Sequence, residues 1–267
     1  MTLQRPTIVI FDMDGTAVRH INPHLLHVLE VLDNVCYKIS KVFAWLFKRG
    51  GQGPIVPEWH DPEWSNQKKK KPKLLVHRAI HKVRRKPVEQ IVQPCPGLYD
   101  VLDFLKENNV PMALVSNGLG KGYGDDIVKK FDLDEYFQTT VFREDISHSK
   151  PHPEPILLAL KRMNLKPTED DIIWYLGDRR KDVIAALSAS DLIDGVTLPI
   201  AVAFNAAVAV LEKGLGSDHI IMSFHDMYDQ LKEIFEKQPA ATEKKTLTEP
   251  ENTVESTEAD LPSTQHI

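Results

Sequence analysis

The sequence predicts an α/β fold, a doubly wound parallel sheet of the Rossmann-like type with helices on both faces. Two observations predict it. Short apolar runs, which suit strands buried on both faces, alternate along the chain with stretches of helical periodicity. Clusters of polar residues follow several of these runs, as expected where the carboxyl ends of parallel strands form a ligand site. The 267-residue chain is long enough for one such domain with an insertion.

The predicted strands are runs rich in Val, Ile and Leu, of which TIVIF near the start is typical. They span residues 7–11, 111–116, 172–176, 200–204 and 219–222. Apolar residues recur at helical spacing in six segments between and after these runs, at residues 97–108, 125–131, 154–163, 182–190, 206–213 and 226–237. This alternation of strand and helix is why we expect the strands to run parallel.

Charge divides the chain into three parts. Residues 19–94 carry 15 Lys and Arg against six Asp and Glu, and they interrupt an otherwise acidic body made of residues 1–18 and 95–238. Helical spacing on both sides of a loop rich in Gly, Pro, Trp and Lys predicts a basic helical cap inserted after the first strand. Residues 239–267 hold six acidic and two basic residues and no aromatic residue. That composition predicts a disordered acidic tail.

Composition excludes several classes of protein. The chain is 42% hydrophobic and 27% charged, as in ordinary globular proteins. Its apolar runs are shorter than the roughly 20 residues of a membrane span, and its first residues lack the pattern of a signal peptide. Cys36 and Cys95 are too few for a disulfide framework. We therefore expect a cytoplasmic protein without a membrane span, with both thiols free.

Four polar clusters stand out in the predicted body. They are Asp12-Met13-Asp14-Gly15-Thr16, Ser116-Asn117-Gly118, Ser149-Lys150-Pro151 and Gly177-Asp178-Arg179-Arg180-Lys181-Asp182. In a parallel sheet these loops lie at one edge, where their four aspartates would repel each other unless a cation intervened. Mg²⁺ binds protein carboxylates together with substrate phosphate oxygens. The sequence therefore predicts a Mg²⁺ site beside a phosphate site, with Ser116, Lys150 and the main chain around Asn117 facing the phosphoryl group.

In this order the clusters resemble the four motifs of the haloacid dehalogenase superfamily, and the resemblance covers residues 7–235. It implies that Asp12 attacks phosphorus to form an aspartyl phosphate. Asp14 would protonate the leaving oxygen and then activate water. The acid at position 14 is typical of the phosphatase and phosphomutase branches, rather than of the dehalogenases or ion pumps.

The same resemblance implies the ligand set. Mg²⁺ would be held by the Asp12 carboxylate, the Asp14 main-chain carbonyl and Asp178. Asp182 would lie close by, as a further ligand or as a partner just outside the ligand set. Ser116 and Lys150 would hold the phosphoryl oxygens, and Lys150 would also offset the charge of the nucleophile.

The spacing of the motifs locates the insertion. Asp12 and Ser116 are 104 positions apart, whereas Ser116 and Lys150 are 34 positions apart, so the helical cap occupies the first insertion point, as in phosphoglycolate-phosphatase-like members. We expect a phosphatase acting on a small phosphorylated substrate, or on a phosphorylated nucleic-acid end. The lysine run at residues 68–71 either selects anionic substrates or only keeps a loop solvated. A phosphomutase, or a polyanion-binding or nucleic-acid-binding protein that uses the basic cap, stays open, and the oligomeric state is not predicted.

Overall fold

The computed structural model describes residues 3–21, 88–118 and 120–238. Most of the predicted helical cap, residues 22–87, and the predicted tail, residues 239–267, lie outside the described residues. The lysine run at residues 68–71 and Cys36 lie outside them as well. The described residues form the α/β core and the two short strands through which the chain leaves and re-enters it.

A five-stranded parallel sheet lies at the centre of the core. Its strands are β1 (Ile8–Asp12), β4 (Met112–Val115), β5 (Thr139–Val141), β6 (Ile172–Gly177) and β7 (Val196–Ala201). They lie in the spatial order β5-β4-β1-β6-β7. An antiparallel two-stranded ribbon pairs β2 (Val18–His20) with β3 (Val92–Pro94). The predicted fold class is confirmed.

Helices cover both faces of the sheet. They are α1 (Leu98–Glu107), α2 (Lys121–Lys130), α3 (Glu154–Arg162), α4 (Arg180–Ser190), α5 (Phe204–Glu212) and α6 (Phe224–Lys237). One face packs against α1 and α6, and the other packs against α3 and α4. Among the described helices, none has the length and apolar character needed to cross a bilayer.

The central strand β1 explains the position of the site. All five of its residues are buried, and they alternate between faces: Val9 and Phe11 belong to one core cluster, Ile8 and Ile10 to the other. Such two-sided burial produces the continuous apolar run seen in the sequence. Because β1 is flanked by β4 and β6, its last residue, Asp12, lies in the middle of the carboxyl edge of the sheet.

Two strand predictions were wrong in detail. Residues 219–222 do not form a strand: Ser217–His219 is a 3₁₀ helix, and only a single parallel bridge joins Ile220 to Ala201. The imidazole of His219 is buried and its Nδ1 lies 2.9 Å from the carbonyl oxygen of Pro199. The strand-like composition of this stretch comes from Ile220 and Ile221, which pack against the core although only the single bridge forms.

The other differences concern boundaries and a missing element. β7 covers Val196–Ala201 rather than residues 200–204, and Phe204 already begins α5. β5 escaped prediction because a run of three residues, Thr139–Val141, shows no periodicity. α2 begins at Lys121, four residues earlier than predicted. The prediction began the helix too late because Gly122 and Gly124 have low helix propensity.

Candidate active site

The centre of the site is a buried carboxylate held against a buried ammonium. Asp12 ends β1 and is 4% exposed. The Nζ of Lys150 contacts its Oδ1 and also lies 2.6 Å from Oδ1 of Asp182. Oxygens of Asp12, Asp178 and Asp182 all lie within 4.8 Å of one another. The structure therefore brings three of the four predicted aspartates and the predicted lysine together at one point.

Local backbone requirements explain how β6 and α4 deliver two of these carboxylates. Asp182 is in the first turn of α4, where its Oδ2 accepts a hydrogen bond of 3.0 Å from the main-chain N–H of Arg179. This capping interaction is a common way to fix the start of a helix. A Cβ at Gly177 would lie 2.3 Å from the Cβ of Asp182, so only glycine lets the strand pass this close to the helix.

The turn after Asp14 leaves space for the side chain of Asp178 beside the other carboxylates. Gly15 has a φ of +85°, and a Cβ there would lie 2.4 Å from Oδ2 of Asp178. Glycine is therefore required twice, for the left-handed backbone and for the close approach. The Nε of Arg179 lies 3.6 Å from the same oxygen of Asp178.

The carboxylate oxygens of Asp178 and Asp182 differ in their partners. Asp182 forms an ion pair with Lys150 through Oδ1 and accepts a hydrogen bond from the Arg179 N–H through Oδ2, so each of its oxygens has a positively charged or donor partner, although Oδ1 makes no hydrogen bond among the described residues. Oδ1 of Asp178, by contrast, is buried and has no hydrogen-bond partner within the described part of the chain. A buried carboxylate oxygen without a donor is costly, and a cation at this position would offset that cost.

The electrostatics of the site agree with that interpretation. Burial raises the pKa of Asp12, and the neighbouring carboxylates of Asp182 and Asp14 raise it further against the opposing effect of Lys150. Burial likewise raises the pKa of Asp178. For Lys150, burial disfavours the ammonium, but Asp12, Tyr175 and Asp182 together raise its pKa well above the usual value. Lysine alone leaves the carboxylates crowded, and a divalent cation would stabilise their ionised forms.

The loop that carries Lys150 is fastened to the end of β4. The side-chain amide of Asn117 donates to the carbonyl oxygen of Lys150, and its Oδ1 accepts from the Lys150 N–H, both at 3.3 Å. Ser116 is buried, and its hydroxyl donates to Oδ2 of Asp14 at 2.9 Å. The predicted phosphate-binding residues thus lie at the site, with Asn117 holding the lysine loop and Ser116 bonded to the second aspartate.

Two residues near the site were missed by sequence reasoning. Glu154, the first residue of α3, is 3% exposed and accepts hydrogen bonds from the main-chain N–H groups of Ser147 and His148. His20, on β2, places its Nε2 3.6 Å from Oδ1 of Asp14. The acid directly after a proline at a helix start could have signalled a loop anchor, whereas nothing in the sequence pairs His20 with Asp14.

The fold and this carboxylate edge define a hydrolase of the haloacid dehalogenase type. Residues 9–190, more than half of the chain, match the family of haloacid dehalogenase-like hydrolases. The chain belongs to this family, as its four motifs predicted.

Named relatives lie within the same family. The pyrophosphatase PpaX of Bacillus velezensis is 28% identical over 202 residues, which cover 75% of this chain and 87% of that protein. The phosphoglycolate phosphatase of Shigella dysenteriae is 24% identical over 214 residues, covering 71% of this chain and 80% of that protein. The crystal structure of a HAD-superfamily hydrolase from Ehrlichia chaffeensis shares the fold, with a TM-score of 0.51 at 22% identity over 88% of this chain and all of that one.

Proposed function

We propose that this protein is a Mg²⁺-dependent phosphatase that hydrolyses phosphate monoesters through an aspartyl phosphate on Asp12. The observation that carries the proposal is the buried Asp12 carboxylate at the centre of the sheet edge, in contact with Lys150 and beside Asp178. The relative named phosphoglycolate phosphatase supports hydrolysis of a monoester, and the relative named pyrophosphatase supports transfer of a phosphoryl group to water more broadly.

Asp12 is suited to act as the nucleophile. Its carboxylate cannot rotate freely, because Lys150 contacts Oδ1 and the strand end is buried. A fixed attacking group lowers the entropic cost of reaching phosphorus. The same lysine offsets negative charge where an anionic phosphoryl group must approach an anionic carboxylate.

Asp14 is suited to carry the proton. Its side chain comes from the turn just after β1, and its Oδ2 accepts from the Ser116 hydroxyl at 2.9 Å. In the proposed reaction the Asp14 carboxyl gives a proton to the leaving oxygen, and as a carboxylate it then takes one from the water that attacks the aspartyl phosphate. A positioned group of this kind contributes roughly 10² to 10⁴ in rate.

The residues present fit a magnesium ion. The Asp12 carboxylate, the Asp14 main-chain carbonyl and Asp178 would hold it, since Mg²⁺ prefers oxygen ligands and Oδ1 of Asp178 lacks a donor among the described residues. Asp182, with both oxygens engaged, fits a partner outside the ligand set. When bound, the ion would neutralise charge on the carboxylates and on the phosphoryl oxygens.

A substrate panel tests the proposal. Phosphate release is measured with Mg²⁺ and with excess chelator, on pyrophosphate, 2-phosphoglycolate, sugar phosphates, nucleotides and oligonucleotides with phosphorylated ends. We expect Mg²⁺-dependent release from a small phosphorylated molecule of the kind found in the cytoplasm. Phosphate moved to a second hydroxyl of the substrate would instead identify a phosphomutase. Salt-sensitive nucleic-acid binding without any phosphate release would contradict the enzymatic proposal.

The covalent step has its own test. Asp14→Asn should slow hydrolysis of the intermediate, and labelled p-nitrophenyl phosphate, whose leaving group needs no proton, should still form it. Rapid acid quenching of that variant should therefore capture labelled phosphate that hydroxylamine releases. Asp12→Asn should capture none, and Asp229→Asn, an exposed aspartate on α6, should behave as wild type. Labelling that survives in Asp12→Asn would place the phosphoryl group on another residue.

A further inference from the structure

One contact in the site comes from outside the four motifs. His20 is the last residue of β2, and its side chain is 9% exposed. Its Nε2 lies 3.6 Å from Oδ1 of Asp14. Both atoms are buried, and neither has a hydrogen-bond partner within the described residues.

The distance restricts what these two atoms can do. A water bridging them at about 2.8 Å from each atom would have to lie beside the pair, where both atoms are already buried. A direct N–H···O bond needs about 3 Å, which a movement of roughly half an ångström would supply. Since a buried carboxylate oxygen without a donor is costly, the tautomer of His20 that carries its proton on Nε2 would satisfy Oδ1 most simply by closing this gap.

The opposite side of the same carboxyl group is already held. Oδ2 of Asp14 accepts from Ser116, which follows β4, while Oδ1 faces His20 from the ribbon. With both contacts made, the plane of the Asp14 carboxyl would be fixed from two independent elements. Proton transfer depends steeply on such orientation.

We propose that His20 is a positioning residue for Asp14, donating from Nε2 to Oδ1 so that the carboxyl is aimed at the leaving oxygen. This inference rests on the proposed phosphatase reaction. His20 itself does not touch the reacting atoms. Its backbone is held independently by ladder pairing with Val92, so a side-chain substitution leaves the ribbon hydrogen bonds in place.

The test compares two leaving groups. An alkyl phosphate needs a proton on its departing oxygen, whereas the nitrophenolate of p-nitrophenyl phosphate leaves without one. His20→Phe keeps the bulk of the ring and removes the donor. We expect this variant to lower kcat/KM for the alkyl phosphate by roughly tenfold to a hundredfold, which is less than the full contribution of a general acid. The kcat/KM for p-nitrophenyl phosphate should fall much less.

A conservative variant and a distant control complete the experiment. His20→Gln restores an N–H donor near the same reach and should recover a large part of the lost rate. His225→Phe, at an exposed histidine on α6, should leave both substrates unchanged. The melting temperature of each variant shows whether it is folded.

The outcomes separate the two claims. An active wild type whose His20→Phe variant loses the same factor on both esters, or whose His20→Gln variant shows no recovery, overturns the role of His20 alone. A wild type that releases phosphate from neither ester under any tested metal overturns the proposed function, and the role of His20 with it.

Discussion

Asp12 and Glu154 are both almost completely buried, at 4% and 3% exposure, but their surroundings are opposite in kind. Glu154 accepts main-chain hydrogen bonds from Ser147 at 2.8 Å and from His148 at 2.7 Å, and lies 3.0 Å from Nδ1 of His148. Asp12 shares its one ammonium partner, Lys150, with Asp182, and the carboxylate of Asp178 lies close to both aspartates.

The difference separates a carboxylate that holds structure from one that suits the proposed nucleophile. Glu154 has enough donors for its charge, so it can stabilise the loop that ends at α3. Asp12 has more negative neighbours than positive ones, so its negative charge is balanced only when a cation or a proton is added. Both residues act on the same loop, because Lys150 lies between His148 and Glu154 in the chain.

Asp12→Asn gives the largest expected effect. The amide cannot attack phosphorus, so phosphate release should fall by on the order of 10⁴ to 10⁶, as for other nucleophile substitutions. The stability of its metal-free folded state should change little, because losing the contact with Lys150 is offset by removing one of three crowded buried carboxylates. Initial rates and urea denaturation without metal measure both. A variant that keeps a substantial fraction of the wild-type rate would remove Asp12 from the role of nucleophile.

Asp178→Ala should raise the Mg²⁺ concentration for half-maximal activity by roughly ten- to a hundredfold, the range seen for weakened metal sites. The physical reason is the loss of the carboxylate whose Oδ1 has no other donor among the described residues. Magnesium titrations of the rate provide the measurement, with Asp229→Ala as a surface control. Full activity of the wild type in excess chelator would show that no divalent cation is needed.

Glu154→Gln tests the structural side of the comparison. Its amide oxygen can replace only one of the two carboxylate oxygens that accept main-chain N–H groups. We therefore expect the free energy of unfolding to fall by about 1–3 kcal/mol, with a smaller loss of rate than in Asp12→Asn. Denaturant unfolding curves measure this change in stability, with Glu236→Gln, at an exposed position on α6, as the control. Equal midpoints for the two variants would show that Glu154 does not anchor the loop.

The smallest expected effect concerns the pH dependence of alkylation at Cys95, which lies just after the β2–β3 ribbon. Burial raises the pKa of its thiol to about 11, Arg19 opposes the shift, and the carboxylate of Asp178 adds to it. Because the thiolate is the reactive form, alkylation in a Cys36→Ser background should rise about tenfold per pH unit from pH 8 to near 10. Asp178→Ala should shift this profile slightly to lower pH. A plateau near pH 8.5 would contradict the burial effect.

Much of the site could be predicted from sequence because its residues follow strands whose apolar runs are unmistakable. Asp12 follows TIVIF and Asp178 follows IIWYL, and parallel strands must place such residues at one edge. The exact partners could not be predicted. Asp182 pairs with the Lys150 ammonium and accepts from the Arg179 N–H. Both contacts depend on the angle between β6 and α4, which the close approach at Gly177 permits.

The fold shows the same division. Strands with two buried faces were located well, whereas β5 is too short to show a period. Residues 219–222 resemble a strand because Ile220 and Ile221 pack against the core, although they form only a single bridge. The contact between His20 and Asp14 spans a turn and a ribbon. Only the three-dimensional path of the chain brings these two residues together.

The β2–β3 ribbon also makes the core tolerant of change. The N–H of Ile21 donates to the carbonyl of Ile91 at 2.9 Å, so the chain departs and returns through adjoining backbone positions whatever lies between them. Closing a longer intervening segment costs only about 0.6 kcal/mol for each doubling of its length. Exchanging residues 22–87 for the corresponding segment of a relative should therefore leave the ribbon and the carboxylate edge of the sheet in place.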